Sequence, residues 1–149
     1  MKRLPILLIL FLLPFLASAQ HSTGLKVLSY KITSAWPASL RSVKGRAKVV
    51  VNNTDKERTL SDIKALVYRN GEPFVEGVCT DVALERGQVV YTPQGLVTLC
   101  EGQSVWDAIK AALAFDASEY TVDISMQVAY SDTTAFITRK GVPLKKYLK

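Results

Sequence analysis

Apolar side chains recur at every second position along most of this chain, and that period dictates β-structure. Ala47, Val49 and Val51 share one parity, while Arg46, Lys48 and Asn52 share the other. Val122, Ile124, Met126 and Val128 repeat the pattern nearer the C-terminus. A strand points alternate residues to opposite faces, so such a segment buries one face and wets the other. Between these runs lies Asn70-Gly71, with apolar segments on both sides. Both residues accept positive φ, as the tight type I′ hairpin turn demands. Residues 63–69 and 73–79 are therefore expected to pair as antiparallel neighbours.

The same reading places further strands over residues 25–33, 40–52, 89–99, 120–130 and 136–148. Trp36-Pro37 is expected to end the first, since proline cannot donate to a ladder and restricts its predecessor. Pro93 and Gly95 interrupt the fifth, and Gly141 and Pro143 divide the last. Asn52 to Thr59 reads as a loop of turn-forming residues. Only after Cys100 does the period change. Ser104 is a helix N-cap, and Val105, Trp106, Ile109, Ala112 and Leu113 fall on one helical face, with Asp107 and Lys110 on the other. Seven strands and one short amphipathic helix between Ser104 and Phe115 predict an all-β fold, a seven-stranded antiparallel sandwich of immunoglobulin or fibronectin-III shape.

The N-terminus has its own logic. Lys2 and Arg3 precede the apolar run LPILLILFLLPFLA and then Ala17-Ser18-Ala19. A basic start, a hydrophobic core of this length and an A-x-A end make a secretory signal peptide, cleaved after Ala19. The run is short of the ~20 apolar residues of a membrane span. The expected organisation is a leader over residues 1–19 and one domain over residues 20–149, exported to the periplasm or secreted. Loss of Lys2 and Arg3 from the 19 basic residues leaves 17 against 13 acidic ones, a net charge of +4. Basic residues gather at Arg41, Lys44, Arg46 and Lys48, and at Arg139, Lys140, Lys145, Lys146 and Lys149. No aromatic residues interleave with them as stacking on nucleic acid requires. Solvated strand faces and a basic tail are the plain reading, with weak contact to anionic lipid or polysaccharide left open. In an oxidising compartment Cys79 and Cys100 are expected to form a disulfide. Its loop of about 22 residues would contribute roughly 3 kcal/mol.

Reactive groups are sparse. The single histidine, His21, lies two residues inside the expected mature N-terminus, so no nucleophile–histidine pair or histidine-based metal site can be assembled around an ordered imidazole. Asp55, Glu57 and Asp62 share a charged segment without the spacing of a calcium loop. Asn52-Asn53-Thr54 matches the glycosylation acceptor pattern and reads here as a turn. The stripe of Trp106, Ile109 and Leu113 is read as packing on the open end of the sandwich, the alternative being a groove for an apolar ligand or a partner's anchor. Trp36, beside a proline, is a candidate interaction residue. No catalytic residue, cofactor or metal is expected.

The order of motifs resembles a known family. VVVNNTD (residues 49–55), the hairpin LVYRNGEPFVEG (66–77), SVWDAIKAAL (104–113), the V-x-I-x-M-x-V strand (122–128) and its GVPL ending (141–144) are similar in order to the group-two late embryogenesis abundant proteins, which include the WHy domain. The likeness covers most of residues 25–148, although Asn53-Thr54 stands where the family's N-P-N motif has Pro-Asn. The FxLYD domains share the hairpin but lack a place for the helix. Both resemblances imply an immunoglobulin-like sandwich without catalytic residues. The first implies a non-enzymatic protein that binds or protects other envelope proteins under water or desiccation stress. A structural accessory subunit of one dedicated partner is the alternative.

Overall fold

The Asn70-Gly71 turn forms as its residue types require. Both residues have positive φ, 51° and 83°. The computed structural model, which describes residues 24–147, contains nine strands, one α-helix and two short 3₁₀ turns. The expected leader and His21 lie outside those residues. In chain order the elements are β1 (Leu25–Ser39), β2 (Ser42–Asn53), β3 (Arg58–Arg69), β4 (Glu72–Cys79), β5 (Val82–Leu84), β6 (Gly87–Tyr91) and β7 (Gln94–Leu99). Then come α1 (Val105–Leu113), β8 (Tyr120–Ala129) and β9 (Thr134–Pro143). The fold is all-β and sandwich-like, as the alternation implies.

The strands form one antiparallel sheet in the order β1-β2-β7-β4-β3-β8-β9. Two long strands carry two partners each along one side. β2 pairs with β6 through Val49–Asn53 and with β7 through Ser42–Arg46, the interruption falling at Thr92-Pro93. β3 pairs with β4 beyond Ile63 and with β5 at Arg58–Leu60. The expected strand over 89–99 is thus two pieces on one partner. β5 was not foreseen, because three residues are too few to show a period. These splits raise the strand count from seven to nine.

The inner faces of β2, β3 and β8 supply the core. Val49, Leu60 and Val122 are fully buried, with Val51, Val67 and Ile124 close behind. Each such side chain contributes about 1.5–3 kcal/mol by leaving water. The segment after β2 is built around two buried polar residues, Asn53 and Arg58. The Asn53 side-chain amide donates to the Lys56 carbonyl at 3.1 Å, and its oxygen accepts the Asp55 N–H at 3.0 Å. Arg58 pairs with the Asp55 carboxylate at 2.9 Å and lies over the Tyr130 ring at 5.2 Å. A buried charge survives only when satisfied in this way. The segment is scaffold.

Three expectations need correction. Trp36-Pro37 does not end β1, which runs on to Ser39 with Trp36 opposite Lys44 and Pro37 opposite Val43. Among the described residues β1 pairs with β2 alone, and an edge strand tolerates proline because one side of its backbone needs no donor. The last strand stops at Pro143, and the chain turns into a 3₁₀ segment, Leu144–Tyr147.

The third correction concerns the disulfide. Cys79 and Cys100 are free thiols. Cys79 lies opposite Gly95, and the Cys100 N–H donates to the Phe74 carbonyl at 2.9 Å. Five residues of β4 therefore separate the two sites, about 17 Å at the rise of a strand. A disulfide needs Cα atoms within about 7 Å. The β4–β7 register forbids the bridge.

Candidate functional site

α1 is attached to the sheet by its smallest residues. Ser104 starts it, its hydroxyl accepting the Asp107 N–H at 3.0 Å. Ala111 is buried and Ala108 packs against the core, so the helix meets the core on its alanine side. Its large apolar residues point elsewhere. Trp106 is 65% exposed, and Val105, Ile109 and Leu113 are exposed with it. Packing of this stripe on the sandwich end, the first expectation, is therefore corrected. Within one helical turn the chain offers either alanines or bulky residues to the sheet, and the alanine face makes the contact. The Lys110 ammonium sits 5.8 Å from the Trp106 ring centre.

Between α1 and the tip of the β1–β2 hairpin runs an apolar groove of about 330 Å³. Val43, Val75, Val97 and Leu99 form its floor, while Val105, Ala108 and Ile109 form one wall. Pro37 and Leu40 form the opposite rim, with Leu40 93% exposed. Arg41 is the charged residue of the lining, and its guanidinium donates to the Cys100 carbonyl at 2.6 Å. In return the Leu99 N–H donates to the Arg41 carbonyl at 2.8 Å. These bonds tie the hairpin tip, one side of the groove, to the end of β7. Pockets of this size, apolar with one or two polar groups, are the usual form of a binding site.

The lining supplies contact area and one cation at the edge. Its hydroxyls, Ser39 and Ser42, are 2.7 Å apart and hydrogen-bond each other. Among the described residues no three of His, Cys, Asp and Glu converge as metal ligands. The thiols are passivated: burial pushes Cys79 up to about 11, and burial raises Cys100 as well. No described helix is long and apolar enough to cross a membrane.

The structure separates the candidates that the sequence offers. Trp36 is 39% exposed on the sheet face that carries Lys44, away from the groove. The helix stripe does reach the groove, through Val105 and Ile109. Leu40 and Arg41 were missed as site residues, because reading Trp36-Pro37 as a break hides the hairpin whose tip they occupy.

No protein-family model and no curated protein matches the sequence. Among solved structures, the chain is similar to a protein from Archaeoglobus fulgidus, with 11% identity, 76% of this chain and 91% of that one covered, and a TM-score of 0.47. It is also similar to part of a β-glucuronidase from glycoside hydrolase family 2, with 14% identity, 76% of this chain and 11% of that one covered, and a TM-score of 0.34. At these values neither likeness bears on function.

Proposed function

We propose that this is a non-enzymatic exported protein that binds and shields other envelope proteins under water or desiccation stress, holding their exposed apolar segments in the α1–hairpin groove. One observation carries the reading. An apolar groove continues onto an uncovered stripe of Trp106, Ile109 and Leu113, and soluble domains rarely leave such surface without an occupant. The motif order shared with group-two late embryogenesis abundant proteins supports the same reading. The second reading, an accessory subunit of one dedicated partner, draws on the β1 edge, a 15-residue strand with one side unpaired. Such an edge is a template for strand addition.

The test is retention of a client enzyme's activity through drying, with the wild-type protein and with a Trp106→Asp, Leu113→Asp variant. Both positions are exposed, so the variant should melt within about 0.5 kcal/mol of wild type. Protection by wild type, lost in the variant, supports shielding through the groove. Equal protection by both would remove the groove from the mechanism. Absence of protection, with a single stoichiometric complex on size exclusion of native extract, would replace shielding by the accessory-subunit reading.

A further inference from the structure

The charges of this protein are segregated by strand. β1, β2, β6 and β7 carry Lys26, Lys31, Lys44, Arg46 and Lys48 and not one carboxylate; all 13 acidic residues lie elsewhere. Register then places the five cations on a single face. Lys44, Arg46 and Lys48 alternate with buried Gly45 and Ala47, so all three point outward, about 7 Å apart. Lys31 lies directly opposite Lys48, and Lys26 opposite outward-facing Asn52. The two ion pairs among the described residues, Arg58–Asp55 and Arg69–Glu119, involve none of them. With the Gln94 side-chain amide turned so that its oxygen faces β2, Arg46 donates to it, and this neutral partner leaves the guanidinium charge uncompensated.

A lysine directly across from a lysine is an unfavourable cross-strand pair. Folding alone gives no reason for that pair, or for clearing four neighbouring strands of acid. Apolar groups lie among these cations on the same face. Trp36 is opposite Lys44 on one side, Leu96 opposite it on the other, Val78 follows across β7, and Val90 stands opposite Val50. Trp36, Val78 and Val90 are exposed. Lysines with long apolar stems, beside a tryptophan and aliphatics at one level, match a surface whose charge lies above hydrocarbon.

We propose that the outer face of β1–β2–β7 docks flat on an anionic phospholipid surface. Headgroup phosphates meet Lys31, Lys44, Arg46 and Lys48, and Trp36 lies at the headgroup level. The inference does not depend on the shielding function. The apolar groove is lined by Val43, whose parity is opposite to that of Lys44, so a docked protein keeps its groove open to a partner.

The experiment is co-flotation of the protein, recovered from the exported fraction of its host, with phosphatidylglycerol–phosphatidylcholine vesicles and with pure phosphatidylcholine vesicles. Each basic residue near an anionic surface strengthens binding about fivefold at low salt. Lys44→Gln, Arg46→Gln, Lys48→Gln should therefore lose about a hundredfold, at an unchanged melting temperature. Lys56→Gln, Lys110→Gln, Lys145→Gln removes equal charge from elsewhere and should lose only a few-fold. The single variant Lys48→Gln, which relieves the lysine pair, should fold at least as well and lose about fivefold. Equal losses in the two triple variants would show a net-charge effect and overturn the proposal. So would equal binding to neutral vesicles, or binding to soluble dextran sulfate without binding to anionic vesicles.

Discussion

Counting thiols in the native and unfolded protein tests the strand register most directly. Cys79 and Cys100 sit five residues apart along β4, about 17 Å, so an intramolecular disulfide would require β4 and β7 to slide by most of a strand. If the bridge existed, its loop of about 22 residues would supply roughly 3 kcal/mol, and reductant would lower stability by that amount. The register predicts no such change. Burial pushes the Cys79 thiol from 9.0 up to about 11, so its thiolate fraction near pH 8 falls about a hundredfold and native labelling slows in proportion. Protein purified without reductant should show two titratable thiols in concentrated guanidinium, with Cys79 reacting slowly in native buffer. Its denaturant midpoint should be the same with and without reductant. No titratable thiol in the unfolded oxidised monomer, together with a loss of about 3 kcal/mol on reduction, would refute the β4–β7 pairing.

Four further outcomes follow from the same contacts. Because the Cys79 pKa is raised by folding, its contribution is complete below pH 9 and is lost between about 9 and 11. In that window wild type should lose about 1.4 kcal/mol per pH unit relative to Cys79→Ala, read from paired denaturation curves. Leu60→Ala empties a fully buried site and should cost about 3 kcal/mol, seen as a lower denaturant midpoint at constant slope. Ser104→Ala removes the N-cap of α1 and should cost about 1 kcal/mol, raising amide exchange within the helix about fivefold while β8 stays protected. Lys48→Glu turns the like-charged pair with Lys31 into an opposite-charged one and should stabilise the fold by about 0.5–1 kcal/mol while weakening vesicle binding.

Much of the fold was legible because its signals are local. The Ile63–Cys79 and Arg69–Glu72 pairings follow from Asn70-Gly71, whose tolerance of positive φ sets the turn. The alternation in β8 is complete from Tyr120 to Val128, and each apolar residue of it is buried. Errors arose where a local preference met a non-local circumstance. Pro37 reads as a terminator, yet it is tolerated because β1 is an edge. The helix period at Val105–Leu113 is visible in the sequence, but which arc faces the sheet depends on what the rest of the fold presents to it, and Ala108 and Ala111 make that contact.

The strand period, the hairpin at Asn70-Gly71 and the Ser104 cap are each written in a few consecutive residues, and the scarcity of reactive side chains in the composition. The sequence also displays the basic residues of β2 without showing what stands beside them. It takes the assembled sheet to put Lys31 across from Lys48, Trp36 on their surface, Leu40 and Arg41 on a groove with Val105 and Ile109, and Cys79 far from Cys100. The physical reason is register. Side-chain parity along a strand is a local property, but which residue lies across from it depends on strand order, on bulges such as those in β1, and on which partner a long strand adopts at each end.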